Sequence, residues 1–240
     1  MKVIKGGKKR QRIVNRVLLI TLIPLLGLFV WSGSILIPLE LEVRAAGSEY
    51  VQLREIAGGQ LSAVPILREN SGEDAVDVSD EEIDVEVGID WDALFAINPN
   101  VVGWIYVPDT GISYPIVQGR DNERYLWHTF QGIRNNSGAI FMDYLNAPDF
   151  SDPLTLIYGH NMQSGSMFAP LHDWQGEHFF IHTPDGVSVY EVSSRRIVSA
   201  RDELFSFVLP EDADGSIVML STCVFQRPAE RLVIEGTRIN

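Results

Sequence analysis

Residues 218–223 read VMLSTC, an apolar run typical of a β-strand that stops at the only cysteine of the chain. Short runs of this type, rich in valine, isoleucine and aromatic residues and separated by turn-forming residues, recur from residue 103 onwards. They cover Gly103–Val107, Tyr114–Val117, Gly138–Met142, Leu154–Tyr158, His178–His182, Val187–Val192, Ile197–Ala200, Ile217–Leu220 and Leu232–Ile234. About eight short strands in roughly 150 residues predict a mainly β barrel or sandwich.

A few helical patterns accompany the strands. Residues 90–97 (DWDALFAI) predict a short helix because acidic residues occupy its first turn and Pro99 follows its end. Two more short helices are predicted at Asn122–Trp127 and Met167–Trp174. We therefore expect a compact body over residues 88–240.

The N-terminal part predicts a membrane anchor. Residues 17–38 (VLLITLIPLLGLFVWSGSILIP) contain no charged side chain and, as a helix, are long enough to cross a hydrocarbon core of roughly 30 Å. Seven basic residues precede this segment, whereas Glu40 and Glu42 follow it. This asymmetry predicts a single-pass protein of the cell membrane, with a cytoplasmic tail at 1–16 and an extracellular C-terminal body.

Two other interpretations of residues 17–38 are less favoured. A cleaved signal peptide has a shorter apolar region, and Arg44 is unsuited to a small-residue cleavage site. A buried core helix does not explain seven basic residues directly before the apolar segment.

Residues 39–87 are predicted to form an extracellular acidic stalk. A short helix is possible at Glu49–Ile56, before Gly58, and the stretch from 69 to 92 is dense in Asp and Glu. Calcium binding is less favoured because the EF-hand spacing is absent. The net charge of −13 argues against nucleic acid as a partner.

The lone thiol of Cys223 is the first candidate for chemistry. A single cysteine excludes an internal disulfide framework and a thiolate cluster. Most free cysteines are simply small buried side chains, and that interpretation stays open. However, an exported protein with an unpaired cysteine either pairs between molecules or keeps a reactive thiol.

A nucleophilic thiol needs a proton carrier and a donor for the oxyanion. His160 is the favoured imidazole because it follows the strand Leu154–Tyr158 through Gly159, at a strand end. Arg231 is favoured over Arg227 because it opens a strand, where a guanidinium is more firmly aimed than in a turn. The remaining histidines are assigned to solvent, for His128 and His172, or to one strand face, for His178 and His182. A zinc pair on that face would need a third ligand that the sequence does not indicate, and no cofactor is predicted.

Five motifs in order resemble the class B sortases, the cysteine transpeptidases of Gram-positive surfaces. They are INPNVVGWI at 97–105, YPIVQG at 114–119 followed by Asp121-Asn122, GAIFMD at 138–143, YGHNM at 158–162 with SMF at 166–168, and LSTC at 220–223 with Arg231 after it. The resemblance covers roughly residues 90–240 and implies an eight-stranded β-barrel with short helices.

By this resemblance Cys223 is the nucleophile, His160 the general acid and base, and Arg231 the stabiliser of oxyanion and substrate. The sorting-peptide groove is implied to include Asn122, Leu126, Tyr158, Ser221 and Thr222. The implied partners are surface proteins with a C-terminal sorting signal, similar to NPxTx, and an amine of a peptidoglycan precursor or cross-bridge.

The sequence departs from the family in one segment. Class B sortases usually carry a long helical insert before the cysteine strand, whereas residues 201–215 provide about fifteen residues, with one predicted helical turn at Asp202–Phe207. Three alternatives also remain: a pilus polymerase that uses a pilin lysine, a hydrolytic thiol protease, and an anchored binding module without catalysis.

Overall fold

A computed structural model describes residues 6–58, 88–201 and 216–240 of the chain. The chain divides into two compact units, Met1–Ala45 and Ala46–Asn240. Helix α1 runs over Gly6–Ile56 and includes Pro24 and Pro38. Within the described ranges, this is the one helix that is long and apolar enough to cross a membrane, and its apolar stretch is unburied.

The last turns of helix α1 pack within the second unit. Tyr50 stacks edge-on against Tyr114 with ring centroids 5.1 Å apart, and its hydroxyl donates to the carbonyl of Gly138 at 2.8 Å. Arg54 Nε donates to the carbonyl of Ser113 at 3.1 Å. Helical spacing puts the buried side chains on one face; they are Ala46, Tyr50, Leu53 and Ala57.

The end of helix α1 lies close to Gly88. Gly58 has a φ of +83°, and a Cβ atom there would lie 3.3 Å from the carbonyl oxygen of Gly88. The residues flanking 59–87 are therefore neighbours within one unit, while 59–87 itself lies outside the described residues. The structure differs here from the predicted 39–87 stalk and from a body that starts at 88, because residues 46–57 bury an apolar face in the barrel unit.

Eight strands close a barrel in the order β1-β2-β3-β4-β7-β8-β6-β5, as predicted. Helix α2, Trp91–Ile97, precedes them, and the carboxylate of Asp90 accepts from the N–H of Ala93 at its start. The strands are β1 Val101–Tyr106, β2 Ser113–Gln118, β3 Ile140–Met142, β4 Leu154–Tyr158, β5 His178–Thr183, β6 Gly186–Ser199, β7 Ile217–Val224 and β8 Arg227–Arg238.

Three local predictions differ from the structure. The two runs predicted within residues 187–200 form one strand, β6, which passes through a bulge between Val192 and Ser194. The predicted helix Asn122–Trp127 is a series of bends and turns, at whose start the carboxylate of Asp121 accepts from the N–H groups of residues 123 and 124. Of Met167–Trp174, only Ala169–His172 is helical, as a 3₁₀ turn, since Met167 has a positive φ. The helical turn predicted at 202–207 lies outside the described residues.

Strands β4 and β7 are neighbours in the barrel. They pair in parallel, from Leu154 opposite Ile217 to Tyr158 opposite Ser221. Strand β7 pairs on its other edge with β8 in antiparallel fashion. The carboxyl ends of β4 and β7 therefore lie at the same rim of the barrel, next to the start of β8.

We predict that Leu53→Ala destabilises the barrel unit by about 2–5 kcal/mol, because it removes a fully buried side chain and leaves a cavity. Val51→Ala on the same helix is the control, since Val51 is 51% exposed. Urea unfolding of the detergent-solubilised chain, followed by tryptophan fluorescence, measures both. Equal effects would contradict the docking of this helix on the barrel.

Candidate active site

A pocket of about 270 Å³ opens where β4, β7 and β8 meet. All eight residues that the sequence analysis selected line this pocket, although they come from four separate parts of the chain. The lining consists of Asn122, Leu126, Phe141, Tyr158, Gly159, His160, Ala200, Ser221, Thr222, Cys223 and Arg231.

The ladder between β7 and β8 sets the thiol beside a guanidinium. Cys223 is a free, half-buried cysteine, and its Cα partner across the ladder is Arg231. Directly opposite residues in a sheet present their side chains on the same face. The Nη1 atom of Arg231 donates to the carbonyls of Pro228 and Glu230 at 2.8 and 2.9 Å. Among the described residues, its Nε and Nη2 groups have no acceptor and can donate to another group.

Arg227, the arginine that the sequence analysis set aside, has a different setting. Its Nη1 atom pairs with the carboxylate of Glu230 at 2.9 Å, and its side chain is 59% exposed. Arg227 does not line the pocket. The structure therefore brings only Arg231 of these two arginines to the thiol.

The imidazole of His160 reaches the pocket because the chain turns directly after β4. The N–H of Gly159 donates to the carbonyl of Ser221 at 3.1 Å, which keeps the turn against β7. A Cβ atom on Gly159 would lie 2.5 Å from Ile140 Cδ1 and 2.6 Å from the ring of Phe168. Only glycine therefore fits between these two buried side chains.

Two contacts orient the ring of His160. Its Nε2 atom lies 2.8 Å from the carbonyl oxygen of Leu126, and a carbonyl only accepts, so Nε2 carries a proton. The ring of Trp127 lies beside it, with centroids 6.0 Å apart. In the neutral imidazole Nδ1 is consequently the free acceptor, as a base oriented by a third group requires.

A buried carboxylate that the sequence analysis did not select organises one wall of the pocket. Asp143, 3% exposed, accepts from Asn122 Nδ2 at 2.8 Å, from the Tyr158 hydroxyl at 2.9 Å and from the N–H of Leu145 at 3.0 Å. Burial, and secondarily the charge of Asp143, raises the pKa of Tyr158, so this side chain remains a phenol that donates. The sequence feature that could have identified Asp143 is its position as an acidic residue directly after the apolar run 138–142.

The two hydroxyl residues before the cysteine are buried and unsatisfied. Ser221 Oγ and Thr222 Oγ1 have no hydrogen-bond partner in the part of the chain that the structure describes. An unpaired buried hydroxyl destabilises a protein unless another group supplies its partner. Leu126, Phe141 and Ala200 add apolar surface to the same pocket.

The other histidines lie outside the pocket lining. His128 Nδ1 contacts the carbonyl of Arg124 at 2.7 Å. Burial lowers the pKa of His182 to about 4, so its imidazole is neutral at pH 7. His172, expected in solvent, is half-buried, and its Nε2 atom lies 3.1 Å from the carbonyl oxygen of Cys223. Residues 6–58, 88–201 and 216–240 contain no group of three or more His, Cys, Asp or Glu side chains that could hold a metal ion.

Comparison with known proteins decides the family. The profile of the sortase domain matches residues 105–239. The chain belongs to the sortase family. It is 31% identical over 192 residues to sortase B of Listeria monocytogenes, an alignment that covers 67% of this chain and 78% of that protein. The class B assignment and the cysteine transpeptidase activity are thereby confirmed.

Solved structures agree with this sortase fold. Sortase B of Clostridium perfringens superposes with a TM-score of 0.57 at 26% identity, over 62% of this chain and 100% of that chain. A Staphylococcus aureus sortase B–substrate complex, 24% identical, has a TM-score of 0.55 over 62% of this chain and 84% of that chain, which supports the fold alone. Sortases are transpeptidases of the cell surface.

We predict that Gly159→Ala destabilises this sortase by about 1–3 kcal/mol, because the added methyl group overpacks against Ile140 and Phe168. Gly111→Ala is the control, since a Cβ atom there has no heavy atom within 4 Å beyond its chain neighbours. Thermal unfolding followed by near-ultraviolet circular dichroism measures both. A Gly159→Ala protein as stable as the control would contradict the tight turn before His160.

Proposed function

We propose that this class B sortase cleaves a C-terminal sorting signal through a thioester on Cys223 and transfers the acyl group to a peptidoglycan amine. The supporting observation is the convergence of Cys223, His160 and Arg231 on one pocket at the rim of the barrel. Each of the three groups supplies a function that amide transfer needs: a nucleophile, a proton carrier and an oxyanion donor.

The first step is acylation of the thiol. With Nε2–H bonded to the Leu126 carbonyl, Nδ1 of His160 accepts the proton of the Cys223 thiol. The thiolate attacks the threonine carbonyl of an NPxTx-like peptide, and a carbon–sulfur bond forms. Arg231 stabilises the oxyanion, a role in which one donor contributes roughly 2.7–4 kcal/mol. As the carbon–nitrogen bond breaks, Nδ1–H returns its proton to the departing amine, and a thioester remains.

The second step is transfer to the acceptor. A peptidoglycan amine attacks the thioester carbonyl and loses a proton to Nδ1 of His160. The carbon–sulfur bond breaks, a new amide bond forms, and the departing thiolate takes the proton from Nδ1, which restores the thiol. Because the thioester keeps the acyl group activated, aminolysis proceeds without a nucleotide. Water as the acceptor would instead release a free acid.

We also propose that helix α1 anchors the enzyme in the membrane through residues 17–38, with residues 1–16 in the cytoplasm. Support comes from the uncharged stretch of this helix, its unburied side chains and the basic residues before it. An anchor raises the effective concentration of the enzyme near substrates held in the same membrane.

The mechanism predicts a covalent acyl-enzyme. The solubilised chain is incubated with a panel of sorting peptides and an amine, and enzyme and product are weighed by mass spectrometry. We expect an adduct on Cys223 and an amide product, both absent in Cys223→Ala. Free acid as the only product, with amine present, would identify a hydrolase instead. Transfer only to a pilin lysine would identify a pilus polymerase.

Arg231 and Arg227 form a matched pair for the same assay. Arg231→Lys is expected to reduce kcat by about 100-fold or more, because an ammonium does not reproduce the fork geometry of a guanidinium at the oxyanion. Arg227→Lys is expected to retain activity, since this residue lies outside the pocket lining. Equal losses in both variants would contradict the role of Arg231.

We propose that Asn122 and Tyr158 bind the sorting peptide. Asp143 orients both of these side chains through its hydrogen bonds to them. We predict that Asp143→Asn lowers kcat/KM for the peptide by roughly 10- to 100-fold, because a hydrogen bond to a charged group contributes about 1.5–3 kcal/mol. Iodoacetamide, which needs no peptide groove, should alkylate Cys223 at the wild-type rate.

Asp152→Asn is the control for this variant. Asp152 also accepts two hydrogen bonds, from Asn146 Nδ2 and the N–H of Ala147, and it does not line the pocket. A loss of kcat/KM in Asp152→Asn equal to that in Asp143→Asn would assign the effect to general stability. Unchanged kcat/KM in Asp143→Asn would contradict the proposal.

A further inference from the structure

The parallel ladder between β4 and β7 leaves one carbonyl without its backbone donor. The carbonyl of Ser221 receives the N–H of Gly159. The carbonyl of Cys223, two residues further on, points to the same side because strand carbonyls alternate. In a continued parallel ladder its donor would be the N–H of residue 161. Strand β4 ends at Tyr158, however, and the chain turns away to bring His160 into the pocket.

A side chain replaces the missing backbone donor. Asn161 Nδ2 donates to the carbonyl oxygen of Cys223 at 2.9 Å. Asn161 belongs to the sequence neighbourhood of His160, yet it bonds a residue 62 positions away. The turn that carries the imidazole therefore also holds the backbone of the thiol residue.

A second side chain reaches the same carbonyl from the 3₁₀ turn. His172 Nε2 lies 3.1 Å from the carbonyl oxygen of Cys223 and 3.1 Å from Asn161 Nδ2. Asn161 and His172 are both half-buried. The loop between them is closed by the N–H of Phe168, which donates to the carbonyl of His160 at 2.9 Å, and by a β-bridge between Asn161 and Met167.

The other edge of β7 is irregular at the same point. The partner on β8 changes from Arg231, opposite Cys223, to Arg227, opposite Val224. The regular ladder with β8 consequently stops at Cys223. A cysteine at this position depends on contacts from the β4 side for the orientation of its backbone.

We propose that Asn161 and His172 are positioning residues that hold the carbonyl of Cys223 and thereby keep its thiol aligned with His160. This inference rests on the proposed role of Cys223 as the nucleophile. Neither side chain lines the pocket, so neither is assigned a contact with the substrate. Removal of either donor frees the last residues of β7 to rotate, which moves Sγ relative to the imidazole.

The only cysteine of the chain makes its carbonyl directly observable. Incorporation of cysteine labelled with ¹³C at the carbonyl gives a single protein signal by NMR. In Asn161→Ala, and to a smaller extent in His172→Phe, we expect an upfield shift of this signal, because the carbonyl loses a hydrogen bond. The control is His128→Phe, which removes an imidazole bonded to the carbonyl of Arg124 instead. An unchanged signal in both test variants would overturn the proposal.

The second measurement is the rate of Cys223 alkylation by iodoacetamide between pH 5 and 9. A thiol that is misaligned with His160 forms less thiolate, so Asn161→Ala should react roughly 2- to 10-fold more slowly at pH 7, in line with one lost hydrogen bond. His128→Phe should follow the wild-type profile. If the alkylation rates of the test variants match those of wild type at every pH, the proposal is overturned. It is also overturned if the control variant slows as much as the test variants.

Asn161→Ser provides a conservative variant with a shorter donor. It should retain part of the wild-type alkylation rate, and it serves as the test protein if Asn161→Ala does not fold. Neither measurement needs a sorting peptide. If wild-type enzyme transfers no peptide while the carbonyl signal and alkylation respond as expected, the proposed transfer reaction fails and the positioning role stands.

Discussion

The parallel pairing of β4 with β7 inside a closed barrel is the constraint on which the site depends. Parallel strands end at the same rim, so the segment after Tyr158 and the end of β7 at Cys223 become neighbours. The antiparallel pairing of β7 with β8 then adds Arg231 directly opposite the thiol residue. Because the barrel is closed, none of these strands can slip without breaking ladders all around it.

The same constraint creates a local problem that side chains resolve. Because β4 ends at Tyr158, the residues after it can form the turn that carries His160. The same early end removes the backbone donor that the carbonyl of Cys223 on β7 would otherwise have. At the rim of this barrel the amide of Asn161 takes the position of the absent backbone donor beside Cys223. The carboxylate of Asp143 likewise accepts hydrogen bonds from Asn122 and Tyr158, two residues of the pocket lining. Among the described residues, Ser221 Oγ and Thr222 Oγ1 have no hydrogen-bond partner, although both residues line the pocket.

The last turns of helix α1 are joined to the barrel by specific contacts. Tyr50 bonds a carbonyl 88 residues away, and Leu53 is fully buried. Gly58 and Gly88 are close neighbours at the end of this helix.

The sequence by itself determined most of the strands, the lone thiol and the imidazole after a strand, because periodicity and strand ends are local properties. It selected Arg231 as the first residue of a strand, whereas the structure starts β8 at Arg227 and places Arg231 inside this strand, opposite Cys223. The resemblance of five short motifs further selected Asn122, Leu126, Tyr158, Ser221 and Thr222, all of which line the pocket. Only the tertiary structure decided the bond from Asn161 to Cys223, the contact of His172 with the same carbonyl, and the docking of residues 46–57. These depend on barrel closure and strand register, which join residues 51 to 88 positions apart and leave no periodic trace in the chain.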